Sequence, residues 1–234
     1  MSEIVKFTID GKEYEGVKGQ LLVEVAAEKG IYIPVLCHWK GVKPAGSCRI
    51  CSVKVNGRFM AGCTTPLEAD MKIENDTPEI LDIRKAIVEM LFVEGNHFCP
   101  SCEKSGNCDL QALGYRYQMM VPRFPYEFER RDIDASSPKL IIEKNRCIFC
   151  KRCVRMIKDE QGKSYFAFKG RGKHLQISLD KKLAVTMSEE NAHKAMDACP
   201  VGCILRKEVG FAVPIGKRKY DHVSIGTDIE KLNK

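Results

Sequence analysis

Twelve cysteines in 234 residues fall in clumps: Cys37, Cys48, Cys51 and Cys63, then Cys99, Cys102 and Cys108, then Cys147, Cys150 and Cys153, and last Cys199 and Cys203. At about 5% of the chain they are too sparse for a disulfide scaffold. The first eleven residues hold neither a basic n-region nor an apolar h-region, so no secretory signal is expected and the cytoplasm is the expected setting. Disulfides rarely persist in that reducing compartment, and clumped thiols there read as metal ligands.

The first set, Cys37-x10-Cys48-x2-Cys51-x11-Cys63, has one short pair and two single distant thiols, whereas structural zinc usually takes two short pairs. Ala45-Gly46-Ser47 ahead of the short pair lets backbone N–H groups approach sulfur, which suits a 2Fe-2S centre of the plant-ferredoxin kind. Another set, Cys147-x2-Cys150-x2-Cys153 with remote Cys199-Pro200, is similar to the half-motif of bacterial ferredoxins and predicts one 4Fe-4S cubane. Ligands for a second cluster in that stretch are missing, since Glu189, Ala192, Ala195 and Ile157 stand where they would be needed. Between the two lies Cys99-x2-Cys102-x5-Cys108, one ligand short of a cubane, with His97 two residues ahead as the candidate fourth. An iron with an open position, or ligation by His38, are the alternatives at this point. Cys203 is left over, as a small buried residue beside the third set or a substitute for Cys199.

The elements that must carry these residues alternate. Val5–Ile9, an Asp10-Gly11 turn and a return through Tyr14 predict a hairpin, as do Ser52–Arg58 around Asn56-Gly57. Between them Gln20–Lys29 reads as a helix ending at Gly30. Thr77-Pro78 is an N-cap with proline at the first helical position, and Ile80, Ile83, Ile87, Met90 and Leu91 recur at helical spacing, so that helix should lead into His97 and Cys99. A short helix is expected over Asp109–Gly114 and another over Val154–Asp159. Strands are expected over Tyr165–Phe168 and Leu175–Leu179, and a helix capped by Ser188 should run through Ala198 into Cys199.

No apolar run approaches the roughly 18 residues of a membrane span, the best, Ala86–Val93, being broken by Glu89. The net charge is +7, and Lys139–Lys173 alone holds eleven basic against three acidic residues. A solvated face or nucleic-acid binding would explain that stretch, but its place around three cysteines favours compensation of an anionic cluster, with Lys151, Arg152 and Arg155 raising its potential. A zinc-containing nucleic-acid-binding protein remains a rival reading. Nothing matches a dinucleotide fingerprint or a phosphate loop, so no catalytic residue and no site for an organic cofactor is assigned.

Cys37-His38-Trp39 with Gly46-Ser47-Cys48-Arg49-Ile50-Cys51, the run Cys99–Gln111, the triplet from Cys147 and Cys199-Pro200-Val201-Gly202 together resemble the iron-sulfur segment of three families, over nearly the whole chain. These are the largest peripheral subunit of respiratory NADH:quinone oxidoreductase, iron-only hydrogenases, and the small diaphorase subunit of cytoplasmic NAD-reducing nickel-iron hydrogenases. The resemblance implies an α+β protein in five parts. Residues 1–76 would form a β-grasp, plant-type 2Fe-2S domain, and 77–118 a helical 4Fe-4S segment with one histidine and three cysteine ligands. A linker over 119–137, a bacterial-ferredoxin-like 4Fe-4S domain over 138–209 and an extended tail over 210–234 would follow. It thus implies one 2Fe-2S and two 4Fe-4S clusters, with His97 completing the middle ligand set. The respiratory relatives keep three residues between that histidine and the next cysteine, where this chain has Phe98 alone.

A chain ending at Lys234 resembles the diaphorase subunit, and Gly210–Gly216 to Tyr220-Asp221 resembles its C-terminal stretch. That implies a relay of single electrons between a hydrogenase module and a flavin- and NAD-binding large diaphorase subunit, with the hydrogenase small and large subunits as further partners and the tail as a docking strap. The alternatives are another NADH-linked complex, such as an NAD-dependent formate dehydrogenase or an electron-bifurcating hydrogenase, and a freestanding ferredoxin-like carrier.

Overall fold

The computed structural model describes residues 3–127 and 130–233, and it divides into two compact units. One unit runs through Val88 and includes Leu113–Met120 and the chain from Ser224; the other comprises Glu89–Ala112 and Val121–Val223.

The first unit opens with β1 (Ile4–Ile9) and β2 (Lys12–Val17), antiparallel, with Ile9 opposite Lys12 across the Asp10-Gly11 turn, where both residues have positive φ. Helix α1 (Leu22–Glu28) buries Leu22, Val23, Val25 and Ala26, and its end passes through left-handed Gly30. A second hairpin, β3 (Ser52–Val55) and β4 (Arg58–Ala61), turns at Asn56-Gly57. The sheet is completed by β5 (Lys72–Glu74), which lies parallel to β1 and antiparallel to β3, giving the order β2-β1-β5-β3-β4. Val5, Phe7 and Ile9 alternate inward on β1 and join Leu22, Leu36, Val53, Leu67 and Ile73 in the core. Three residues are too few to show a period-2 signal, which is why β5 was not legible in the sequence.

Helix α2 (Pro78–Glu94) starts as its sequence predicts: Thr77 Oγ1 accepts from the Ile80 amide at 3.4 Å with proline at the first position. Helix α3 (Asp109–Arg116) runs two residues beyond the expected end.

In the second unit a three-stranded antiparallel sheet has the order β10-β7-β6, formed by β6 (Ile133–Asp134), β7 (Leu140–Glu143) and β10 (Ile204–Arg206). Around it stand α4 (Arg152–Met156), the hairpin β8 (Phe166–Lys169) with β9 (Gln176–Leu179), α5 (Lys181–Val185) and α6 (Glu189–Ala198). Ser188 caps α6 by accepting from the Asn191 amide at 3.1 Å, as expected. Helix α4 begins inside the cysteine triplet, two residues before the expected Val154.

Two stretches carry more structure than the sequence suggests. Residues 119–137, expected as a linker, contain β6, which pairs Ile133 with Glu143 on β7. Within the same stretch Arg123 Nε donates to buried Glu89 at 2.7 Å and the Arg131 amide donates to Asn145 at 2.9 Å; residues 128 and 129 of that expected linker lie outside the described residues. From residue 210 to 233 the expected tail is a series of turns leading into α7 (Thr227–Glu230) and a 3-10 turn, Lys231–Asn233. In the first unit Arg116 donates to the Ile225 carbonyl at 2.8 Å, pairs with Glu230 and lies over the Tyr32 ring. Left-handed Gly226 sits so close to that ring that a Cβ would fall 2.4 Å from Tyr32 Cγ. Among the described residues no helix is long and apolar enough to cross a membrane.

Candidate metal centres

Pairing of Ser52 with Ala61 across the β3–β4 hairpin carries Cys51 and Cys63, which flank these strands, toward one another, and the Gly62 amide donates to the Cys51 carbonyl at 3.0 Å. Cys48 lies one turn earlier in the loop, and Cys37 arrives from the segment after α1. The four thiols act on one another: Cys37 interacts with Cys48 and Cys63, and Cys63 also with Cys51. Hydrogen bonds from neighbouring thiols hold Cys37 and Cys51 below the usual thiol range, with Cys48 and Cys63 pushed up as the donors. The amides of Ser47 and Cys48 also donate to the Cys37 sulfur. Gly46 permits this close loop, being left-handed, with its missing Cβ only 3.0 Å from Thr64 Cγ2. Arg49 adopts a left-handed φ of 60° within the Cys48–Cys51 turn. His38 is buried beside the cage, its Nε2 3.3 Å from Glu24.

The middle set lies in the second unit. A single 3-10 turn, Cys99–Ser101, precedes Cys102, and Cys108 immediately precedes α3. Cys99, Cys102, Cys108 and His97 line one small cavity, together with Ser105, Gln111, Arg146 and Gly202. The Gln111 amide donates to Cys108 Sγ at 3.4 Å, while its side chain accepts from the Gly106 amide at 2.7 Å and donates to Ser105 Oγ at 3.1 Å, closing the Cys102–Cys108 loop. Burial lowers His97 to about 4, so the imidazole is neutral, and its buried Nε2 has no hydrogen-bond partner among the described residues. A neutral imidazole nitrogen with an unused lone pair is what a metal ligand requires. The short spacing through Phe98 therefore does not remove His97 from the three thiols.

The third set is assembled by strand pairing. β10 lies against β7 with Ile204 opposite Ile142, and the Glu143 amide donates to the Cys203 carbonyl at 2.7 Å, which brings the end of α6 to the Cys147 loop. Cys147, Cys150, Cys153, Cys199 and Cys203 line one small cavity with Ile148, Phe168, Ile177 and Val201. Phe149 and Lys151 are left-handed, turning the amide of Arg152 onto the Cys150 sulfur. Burial pushes Cys150 up to about 12, whereas hydrogen bonding from Cys203 brings Cys199 down to about 6. Cys203 is thus a fifth thiol, free and interacting with both Cys147 and Cys199.

These last two cavities share a wall. The Asp109 amide donates to the Pro200 carbonyl at 2.9 Å, so residues next to Cys108 and Cys199 are joined by one hydrogen bond. Arg146 Nη1 donates to the Gly202 carbonyl at 3.3 Å, and a Cβ on Gly202 would lie 2.4 Å from Cys102 Sγ. Arg152, buried in the triplet, pairs with Asp109 at 3.3 Å, so a carboxylate offsets the charge expected to act on the third set.

Segment 216–221 of the tail grips the same region. Arg218 Nη1 donates to the Ser105 carbonyl at 3.3 Å, the Lys219 amide to Asn107 at 2.9 Å, the Tyr220 amide to the Gly106 carbonyl at 2.9 Å, and the Tyr220 hydroxyl to Asp109 at 2.7 Å. Gln111, Gly202 and Tyr220, which the sequence offers only as parts of the quoted motifs, and Arg146, which it does not name, are the supporting residues. Gln111, three residues after Cys108 in the first turn of a helix, carried a faint signal; Tyr220 stood in the C-terminal resemblance with no sign of what it would contact.

Among the described residues no three His, Cys, Asp or Glu side chains converge as the ligands of a single metal ion would. The middle and third thiol sets instead surround space, amides are aimed at sulfur, and one imidazole nitrogen is left unpaired. That donor chemistry fits iron-sulfur clusters and defines the class of protein.

Comparison with known proteins agrees in order and extent. Residues 2–78 match a 2Fe-2S iron-sulfur cluster binding domain, 84–123 the NADH-ubiquinone oxidoreductase-G iron-sulfur binding region, and 137–205 the ferredoxin-like domain of NADH-quinone oxidoreductase subunit 3. The chain is 50% identical over 222 residues to the gamma subunit of the NAD-reducing hydrogenase HoxS of Cupriavidus necator, covering 94% of this chain and 95% of that one. It is 33% identical over 211 residues to a subunit of the NADH-quinone oxidoreductase of Rickettsia bellii, covering 89% of this chain but only 30% of that protein. A crystal structure of an NAD+-reducing [NiFe]-hydrogenase in the H2-reduced state contains a chain that superposes with a TM-score of 0.85 at 39% identity, covering 93% of this chain and 94% of that one. The chain belongs to the family of iron-sulfur subunits of NAD-reducing hydrogenases.

Proposed function

We propose that this chain is the electron-transfer subunit of a cytoplasmic NAD-reducing hydrogenase. In this reading it relays single electrons between the hydrogenase small and large subunits and a flavin- and NAD-binding diaphorase large subunit. The observation that carries the reading is the succession of three thiol sets, each built in its own way, in a chain matching three iron-sulfur domain families in the same order. Cys37, Cys48, Cys51 and Cys63 would hold a 2Fe-2S cluster. His97, Cys99, Cys102 and Cys108 would hold one 4Fe-4S cluster, and Cys147, Cys150, Cys153 and Cys199 another. When bound, such clusters take up and release one electron at a time, with a potential set by ligands, hydrogen bonds and burial.

The chain's own residues supply those settings. Amides of Ser47, Gln111 and Arg152 donate to ligand sulfurs, while Ile148, Phe168 and Ile177 keep water from the third cavity. Gly202 and the bond from Asp109 to Pro200 bring two ligand sets to a common wall, where a short path for electrons is needed. The division at 1–76, 77–118, 119–137, 138–209 and 210–234 describes the modules by ligand set. Iron and acid-labile sulfide analysis of the purified chain should return about ten of each per chain. A lower count, or a colourless protein carrying zinc, would refute the ligand assignment. Reduction by NADH should require the flavin-bearing partner, and its persistence in the isolated chain would refute the relay.

A further inference from the structure

Arg84 on α2 is only 2% exposed. A guanidinium removed from water is costly unless an anion faces it, yet among the described residues no carboxylate forms an ion pair with it, and Asp76 acts on it only through space. Its contacts are neutral. Nη1 donates to the Asn75 carbonyl at 3.1 Å, and Nη2 donates to the Ser52 carbonyl at 2.9 Å and to Asn75 Oδ1 at 2.7 Å. The Tyr117 hydroxyl is a further partner, and burial keeps that phenol protonated. Nε has no partner among the described residues. Arginine keeps its proton in proteins, so a full positive charge is buried here without a local counter-ion.

The first thiol set is an anion-forming group that acts on this guanidinium. Ser52, whose carbonyl Arg84 holds, directly follows Cys51, and Cys51 acts electrostatically on the guanidinium. Four thiolates around two irons carry net negative charge, and one-electron reduction adds to it. A fixed cation close by, shielded from water, stabilises the reduced form more than the oxidised one. We infer that Arg84 is the internal counter-cation of the Cys37, Cys48, Cys51 and Cys63 site, a positioning residue that raises its reduction potential. This rests on the proposal that those four thiols hold a 2Fe-2S cluster.

The test compares Arg84→Lys, which keeps the charge, with Arg84→Gln and Arg84→Met, which remove it, by EPR-monitored redox titration of the full chain. The charge-free variants should lower the equilibrium constant for reducing the 2Fe-2S centre at least tenfold, equivalent to 59 mV for one electron, while Arg84→Lys stays within threefold of the parent. Either charge-free variant that retains the signal decides the matter, and a shift under threefold overturns the inference. Loss of the signal in both charge-free variants with retention in Arg84→Lys supports it. Loss in all three assigns Arg84 to hydrogen bonding alone and overturns it. Absence of a 2Fe-2S signal in the parent protein would instead refute the ligand proposal, before any variant is compared.

Discussion

Replacing Tyr220 by phenylalanine removes one oxygen atom, and with it a 2.7 Å hydrogen bond to Asp109. Asp109 directly follows Cys108, and its amide is the donor that ties the middle ligand loop to Pro200. A hydrogen bond to a charged group contributes about 1.5–3 kcal/mol, here to closure of the Cys102–Cys108 loop. Asp109 keeps its ion pair with Arg152, which argues for the lower end of that range. At 1.36 kcal/mol per tenfold change, the open population of the loop should rise by roughly tenfold to a hundredfold. If iron leaves the middle site through that opening, its loss to a strong chelator should accelerate by the same factor. EPR would follow each cluster separately: the 4Fe-4S signal of the middle site should decay faster, and the 2Fe-2S signal at the parental rate. Equal rates in variant and parent, or equal acceleration of all signals, would refute the idea that the tail clamps this loop. The same contacts add a role within the chain to the tail expected as a docking strap: truncation before Arg218 removes four hydrogen bonds to the middle ligand region and should cost that cluster first.

Other substitutions probe the remaining sites. Gly202→Ala places a methyl group 2.4 Å from Cys102 Sγ and should lower iron content by about one cubane, four irons per chain; full iron content would show that the wall yields. His97→Cys should preserve the iron count but lower the potential of the middle site, because a thiolate adds negative charge where a neutral imidazole stood; an unchanged potential would exclude His97 as ligand. Cys203→Ala should keep all the iron and cost about 1–2 kcal/mol in thermal unfolding of the apo chain, whereas Cys199→Ala should lose the third cluster; the reverse outcome would exchange their roles.

Spacing along the chain determined a good deal. The Asp10-Gly11 and Asn56-Gly57 hairpins, the Thr77-Pro78 and Ser188 helix starts and the Cys-x2-Cys turns are local, each governed by residues within a few positions of one another, so they were legible without a fold. Short strands such as β5 and β10 were not, because a three-residue strand carries no period and exists only through its neighbours. The same division runs through the sites. Ligand types and clumping identified three sets, but His97 shares a cavity with three thiols, Cys203 sits between Cys147 and Cys199, and Arg152 is matched by Asp109 only because distant segments fold together. Arg84 is ordinary in the sequence, and Tyr220 stands out there only as part of the C-terminal resemblance. The environment that gives each its role comes from residues distant in the chain, as far as Asp109 and Gly106 are from Tyr220, because burial, charge compensation and hydrogen-bond partners are properties of packed surfaces and not of the chain read in order.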